Sequence, residues 1–152
     1  MAVELAEAPF DPAARLAAFG CAADEEGAVV SFTGHARGAG SDGAVTALVL
    51  EAYRGVTLAS MQEIARDAHA RFAVTRSDVV HRHGRIVPGE AIVFVAVAAR
   101  HRRAAFEAAD YMMDRLKTEA VFWKREEGET DHWIEPTERD MEDARRWALI
   151  EE

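Results

Sequence analysis

Nine consecutive residues, Ala91-Ile92-Val93-Phe94-Val95-Ala96-Val97-Ala98-Ala99, carry no polar side chain. Successive residues of a strand point to opposite faces, so a strand without polar alternation has both faces covered. The run is the longest of its kind in the chain, and it is far short of the ~20 residues that cross a bilayer as a helix. It therefore predicts a central strand covered on both sides. Helical patterns flank it. From Thr57 onward, Leu58, Met61, Ile64, Ala65, Ala68 and Phe72 recur at three- and four-residue spacing. Across residues 101–117, Ala105, Phe106, Ala109, Met112, Met113 and Leu116 predict a second buried stripe.

The remaining elements arrange themselves around that strand. A short strand is expected within residues 1–9. Asp11-Pro12 reads as N-cap and first helical residue of a short helix through Ala13–Phe19, which stops at Gly20. Asp24-Glu25-Glu26-Gly27 reads as a turn. Strands are expected at 28–34 and 45–53, as the two arms of a long hairpin around a mobile glycine-rich loop, His35–Gly43. Ser77–Arg82 and Val121–Glu126 are further strands, the latter paired with Thr130–Ile134. In Val121–Glu126, Phe122 and Lys124 share one face and Trp123 takes the other. Thr137-Glu138-Arg139-Asp140 starts a last helix expected to end near Ala148. Hairpins mixed with helical crossovers imply an α+β fold, one domain over residues 1–152, with a mixed, largely antiparallel sheet and packed helices.

Charge narrows the possible functions. The net charge is −9, which argues against general nucleic-acid binding. Acids crowd both ends of the chain, whereas bases collect at His81–Arg85 and Arg100–Arg103, a distribution suited to a small anionic ligand. One cysteine, Cys21, excludes an internal disulfide and a multi-cysteine zinc site and fits a reducing cytoplasm. It reads as a small buried side chain near a helix end. Neither a secretory signal nor a membrane helix is expected.

The candidate chemistry begins with the basic residues. The chain has two lysines, Lys117 and Lys124, against sixteen arginines. Arginine stays protonated, whereas a crowded or desolvated lysine can lose its proton and act as base or nucleophile. Two solvated surface lysines are the plain alternative. Arg100-His101-Arg102-Arg103 opens a helix without a capping residue, which a bound anion would favour; side chains fanning out to surface carboxylates would also account for it. A helix of ~16 residues spans ~24 Å, so His101 and Lys117 of one copy lie at opposite ends and would meet only across a two-fold dimer. Arg37 reads equally well as a solvated loop residue or as one that closes over a ligand. His81 and His83 alternate on a strand and, with His101, suggest a metal site, but neighbouring arginines and the lack of a carboxylate at diagnostic spacing count against metal.

These residues carry a resemblance. Gly27–Gly34 followed by Arg37, Leu50-Glu51-Ala52-Tyr53, His81-Arg82-His83-Gly84 with Pro88-Gly89-Glu90, and His101-Arg102 with Ala105–Ala108 are similar to the molybdopterin synthase catalytic (large) subunit family. Leu116-Lys117-Thr118 through Phe122-Trp123-Lys124-Arg125-Glu126 completes the match. The resemblance implies a hammerhead-type α+β fold and a homodimer within a heterotetramer. It also implies a small ubiquitin-like partner whose Gly-Gly tail carries a thiocarboxylate. Sulfur would pass from that tail to cyclic pyranopterin monophosphate, forming the molybdopterin dithiolene without a cofactor or metal. Lys117 and Lys124 would be catalytic. Arg37, His101 and Arg102 would bind the substrate, the last two from the other copy. Ala52 and Arg54 depart from the family's pattern. A non-catalytic dimer that holds an acidic tail is the rival reading, and an RNA-binding module is disfavoured by charge and by few aromatics outside core positions.

Overall fold

The computed structural model describes residues 1–40, 43–53, 55–128 and 132–148. Its first sheet has the strand order β1 (Ala2–Ala6), β5 (Val74–Arg82), β7 (Ala91–Ala99), β2 (Ala28–His35). β1 runs parallel to β5, and the other two pairings are antiparallel. The apolar run is β7, next to the edge strand β2, and its two faces serve two cores. Val93, Val95, Val97 and Ala99 pack with Met61, Ile64, Ala108 and Met112. Those four come from α2 (Val56–Arg71) and α3 (Arg102–Thr118). Phe94 and Ala96 face the other way, onto Val80, Ala6, Phe10 and Phe19 beside α1 (Pro12–Phe19). Each such Val or Phe, fully buried, contributes about 1.5–3 kcal/mol.

The second sheet has the order β3 (Ala39–Gly40), β4 (Gly43–Ala52), β8 (Phe122–Gly128), β9 (His132–Ile134), with β6 (Gly84–Ile86) also paired to β4. The long hairpin expected of 28–34 and 45–53 does not form. β2 pairs with β7, and β4 pairs with β8 and β6. Strand composition marks strands but not their partners, and these two belong to different sheets. The glycine-rich segment is also more ordered than expected: Ala39 and Gly40 lie opposite Ala44 and Gly43 in a short antiparallel ladder. Ser41, Asp42, Arg54, Thr130 and Asp131 lie outside the described residues.

Local signals hold at the helix ends. Asp11 Oδ1 accepts from the Ala13 and Ala14 N–H groups (2.9 and 3.3 Å), and α1 ends at Gly20, whose φ of 58° suits glycine. Thr137 and Asp140 form a reciprocal capping box on α4 (Glu138–Arg145). α4 stops at Arg145, short of Ala148, and Trp147 then turns in against Phe72 and Tyr111. Phe106 is 59 % exposed, contrary to the expected stripe. The buried face of α3 runs through Ala105, Ala109, Met112 and Leu116, and residue 106 is turned ~100° off that line.

The turn before β2 is built around a charge. Glu26 is buried; Arg76 Nη2 donates to its Oε1 (2.6 Å) and Arg76 Nε to its Oε2 (2.8 Å). The Ala22 N–H (2.7 Å) and the Thr75 hydroxyl also donate to this carboxylate. Arg76 Nη1 donates to Phe19 O (2.7 Å), and its guanidinium lies over the Phe19 ring. Gly27 follows because a Cβ there would lie 2.6 Å from Arg100 O. Cys21 is exposed rather than buried, its thiol donating to Glu26 O (3.2 Å). The helix end that carries it folds outward over this ion pair, away from the core.

Candidate active site

The site lies where the two sheets meet the end of α3. Buried Leu116 anchors the last turn of α3, and the next residue, exposed Lys117, reaches the rim of a cavity. Lys124 enters from β8, opposite Leu50 on β4 and Ile134 on β9. Strand alternation puts Phe122 on the same face, packed into the core, and turns Trp123 outward. There Trp123 meets Trp133 edge-to-face, ring centres 5.9 Å apart. Arg37 arrives through the segment after β2. A bulge at Gly34/His35 breaks the ladder to β7, and the turn 87–90 then holds the chain: the Ala36 N–H donates to Glu90 O (2.9 Å) and the Gly89 N–H to Ala36 O (2.8 Å). Gly34 is needed at this bend, since a Cβ would lie 2.8 Å from Val93 Cγ1.

Arg37, Lys117 and Lys124 thus line one cavity of about 300 Å³, with apolar walls that include Leu48, Leu50, Ile92 and Met113. Among the described residues no carboxylate lines it. Burial, and then the neighbouring Lys117 charge, push the Lys124 amine down to about 8, against a smaller opposing pull from Asp140 on α4. At neutral pH this amine exchanges protons readily. Two cations and a guanidinium around an apolar void would attract an anion. They would stabilise negative charge that grows during reaction, and one of them can carry a proton.

His101 and Arg102 lie elsewhere. They are exposed at the start of α3, Arg102 fifteen and His101 sixteen residues before Lys117, about 22–24 Å along the axis. His101 is the N-cap and makes no side-chain cap hydrogen bond, so the uncapped basic helix start read from the sequence is present.

His81 belongs to the site in a way the sequence did not disclose. Instead of facing a metal with His83 and His101, it is buried under the cavity and stacked on Phe122 (centroids 4.3 Å apart). Its Nδ1 donates to Arg82 O (2.8 Å). Burial, with Lys124 and Lys117 adding to it, pushes its pKa down to about 4, so the ring is neutral. Among the described residues no group of three His, Cys, Asp or Glu side chains is placed to hold a metal. Asp140, the capping residue of α4, was also missed as a group near both lysines.

A family model described as MoaE protein matches residues 5–119. The chain belongs to this family. A curated relative from Caulobacter vibrioides, named molybdopterin synthase catalytic subunit, is 55 % identical and covers 97 % of each chain. The solved molybdopterin biosynthesis MoaE protein from Burkholderia ambifaria superposes with a TM-score of 0.80 at 35 % identity, over 97 % of each chain. A Helicobacter pylori structure, described as a complex of subunits 1 and 2 of molybdopterin-converting factor, shares the fold with a TM-score of 0.71 at 19 % identity, over 90 % of this chain and 91 % of that one. The family match takes in α3 and ends before β8, and the superposition on the Burkholderia ambifaria protein spans nearly the whole chain. Membership in a family of catalytic subunits favours an enzyme over the non-catalytic binding dimer. Among the described residues no helix is long and apolar enough to cross a membrane.

Proposed function

We propose that this chain catalyses sulfur transfer from the C-terminal thiocarboxylate of a small Gly-Gly-ended carrier to cyclic pyranopterin monophosphate, forming the dithiolene of molybdopterin. The single observation that carries the reading is geometric: half-buried Lys124 and exposed Lys117 share one cavity without a carboxylate among its described lining. The carrier is part of the proposal; the family of catalytic subunits supports it, and the Helicobacter pylori structure that shares this fold is described as a two-subunit complex.

The thiocarboxylate tail enters the cavity and meets Lys117 and Lys124. Both offset the charge on the tail and on the tetrahedral intermediate formed at its carbonyl carbon. The tail's sulfur bonds to the pterin and gives a thioester. Lys124, unprotonated in part near neutral pH, takes up or returns a proton while water cleaves the acyl C–S bond, or attacks that acyl carbon itself. The sulfur then leaves on the pterin, and the tail is left as a carboxylate or as a lysine amide. Arg37 holds the substrate phosphate at the mouth. His101 and Arg102 come from a second copy, because α3 holds them far from their own lysines. The working unit is then a homodimer carrying two small partners, in the cytoplasm.

Reconstitution tests this directly. Purified chain, thiocarboxylated carrier and pterin precursor should yield dithiolene, and binding without product would leave only a carrier-docking protein. A mixture of His101→Ala/Arg102→Ala chains with Lys124→Met chains should regain part of the activity, since some mixed dimers hold one intact site. No regain, with mixed dimers shown by mass, would defeat the shared site while leaving the chemistry standing.

A further inference from the structure

His81 has no place in the proposed transfer, yet it is a buried titratable group on the floor of the reacting cavity. Its environment fixes its chemistry. Arg82 O can only accept, so Nδ1 carries the ring proton. The ring is neutral, so Nε2 carries a lone pair. The stack on Phe122 prevents the ring from turning away. Phe122 and Lys124 are two residues apart on one face of β8, so the imidazole stacked on Phe122 lies on the side of β8 from which Lys124 enters the cavity. The charged groups facing it are Lys124 from β8 and Lys117 from α3. The hydrogen bond its ring makes among the described residues is the one from Nδ1 to Arg82 O, and Nε2 is not one of the fully buried unpaired atoms, which suits a nitrogen open to the cavity that His81 lines.

A cavity lined by Arg37, Lys117 and Lys124 already supplies what an anion needs. A bare imidazole nitrogen at its floor adds nothing for the anion; it suits a hydrogen-bond donor. We infer that His81 is a specificity-determining residue of this cavity: its Nε2 accepts a hydrogen bond from an N–H group of the bound substrate pair. The inference rests on the sulfur-transfer reading above. Two sources carry such a donor, a peptide N–H of the carrier's tail and a ring N–H of the pterin. In both cases the group recognised is an N–H donor close to the anionic end. A ligand with the anion alone covers this acceptor without pairing it and binds less well.

Two variants of similar length separate the roles. His81→Gln keeps an acceptor, and His81→Met fills the space without one. In steady-state transfer, His81→Met should raise the half-saturating concentration of one partner about tenfold while His81→Gln stays near wild type. If the carrier's value rises, the donor is the tail amide; if the pterin's rises, it is the ring. Equal behaviour of the two variants, with melting unchanged, overturns the inference. Should His81→Met fail to fold, the wild-type protein decides through nitrogen NMR of its imidazoles. The bare Nε2 signal of His81 should move upfield when thiocarboxylated carrier or cyclic pyranopterin monophosphate saturates the site. A signal unmoved by both, in protein that still makes dithiolene, overturns the inference and spares the function. Absence of dithiolene altogether counts against the function instead.

Discussion

Glu26 and Lys124 are both ionisable groups withdrawn from water, and the protein treats them in opposite ways. Glu26 receives donors from Arg76, Thr75 and Ala22, and these hold its carboxyl down to about 2, the Arg76 hydrogen bond first among them. Its charge is fully answered inside the fold. Lys124 has no ion-pair partner among the described residues, and it sits beside another cation. Its charged form is disfavoured instead of stabilised. A fold that can build a complete partner set around one charge and omits it around another has left the second for something that arrives later. The difference separates a charge that holds a turn in place from one available for chemistry.

The largest expected effect breaks the second half of that contrast. Lys124→Met should cut dithiolene formation by at least about 100-fold in single-turnover assays. It should at the same time raise unfolding free energy at pH 7, by about 1–2 kcal/mol after solvent screening, because the penalty of a half-buried ammonium beside Lys117 disappears. A Lys124→Met protein less stable than wild type in urea would show that the amine is satisfied after all. Next in size is a pH effect. The folded chain releases the Lys124 proton near 8 and the unfolded chain near 10.5, so the unfolded state binds more protons between those values. Stability should therefore climb as pH rises from about 8 to 10.5, and turnover should climb with a midpoint near 8 if the free amine is the working form. A flat rate profile from pH 7 to 9 would assign Lys124 a purely electrostatic role.

Smaller effects fall on the structural charge. Arg76→Met strands Glu26 and should lower the melting temperature by several degrees while leaving turnover per folded molecule unchanged. Loss of turnover without loss of melting temperature would tie this turn to the site. The acid limb should divide in two. Neutral burial of His81 stabilises above pH 6.5 and is lost as pH falls towards about 4, whereas the Glu26 contribution is present above about 4.5 and is lost on passing through about 2. His81→Gln should flatten the upper part alone in acid titrations followed by circular dichroism.

How much of this was legible in the sequence depended on the range of the interaction. Asp11, Gly20 and Thr137 act within one turn, so their roles as caps and stops could be read directly. The covering of β7 could be read because nine residues share one composition. Pairing could not: nothing in Ala28–His35 or Gly43–Ala52 says that these strands join different sheets. Lys117 and Lys124 stood out as rare residues, and the strand alternation placed Lys124 on the Phe122 face. The His101–Lys117 separation also followed from helix rise alone. His81 was visible as a histidine but was grouped with His83, since its burial depends on Phe122, forty-one residues away. Cys21 and Phe106 were assigned inward by their chemistry, and both are outward. Glu26 was read only as part of a turn, because its partner Arg76 lies fifty residues on.

Writing nearly all positive charge as arginine has one more consequence. At pH 8 a lysine with an amine near 8 is about half unprotonated, whereas an ordinary lysine near 10.4 is free to less than about one per cent. Arginine does not compete for acylating or carbonyl reagents under such conditions. Among side chains, amine-directed modification of this protein is therefore focused on one cavity, where a reagent of modest reactivity should label Lys124. The arginine side chains that make up the rest of the basic surface are silent to such reagents, so a probe carried by a side chain goes to the reacting centre itself.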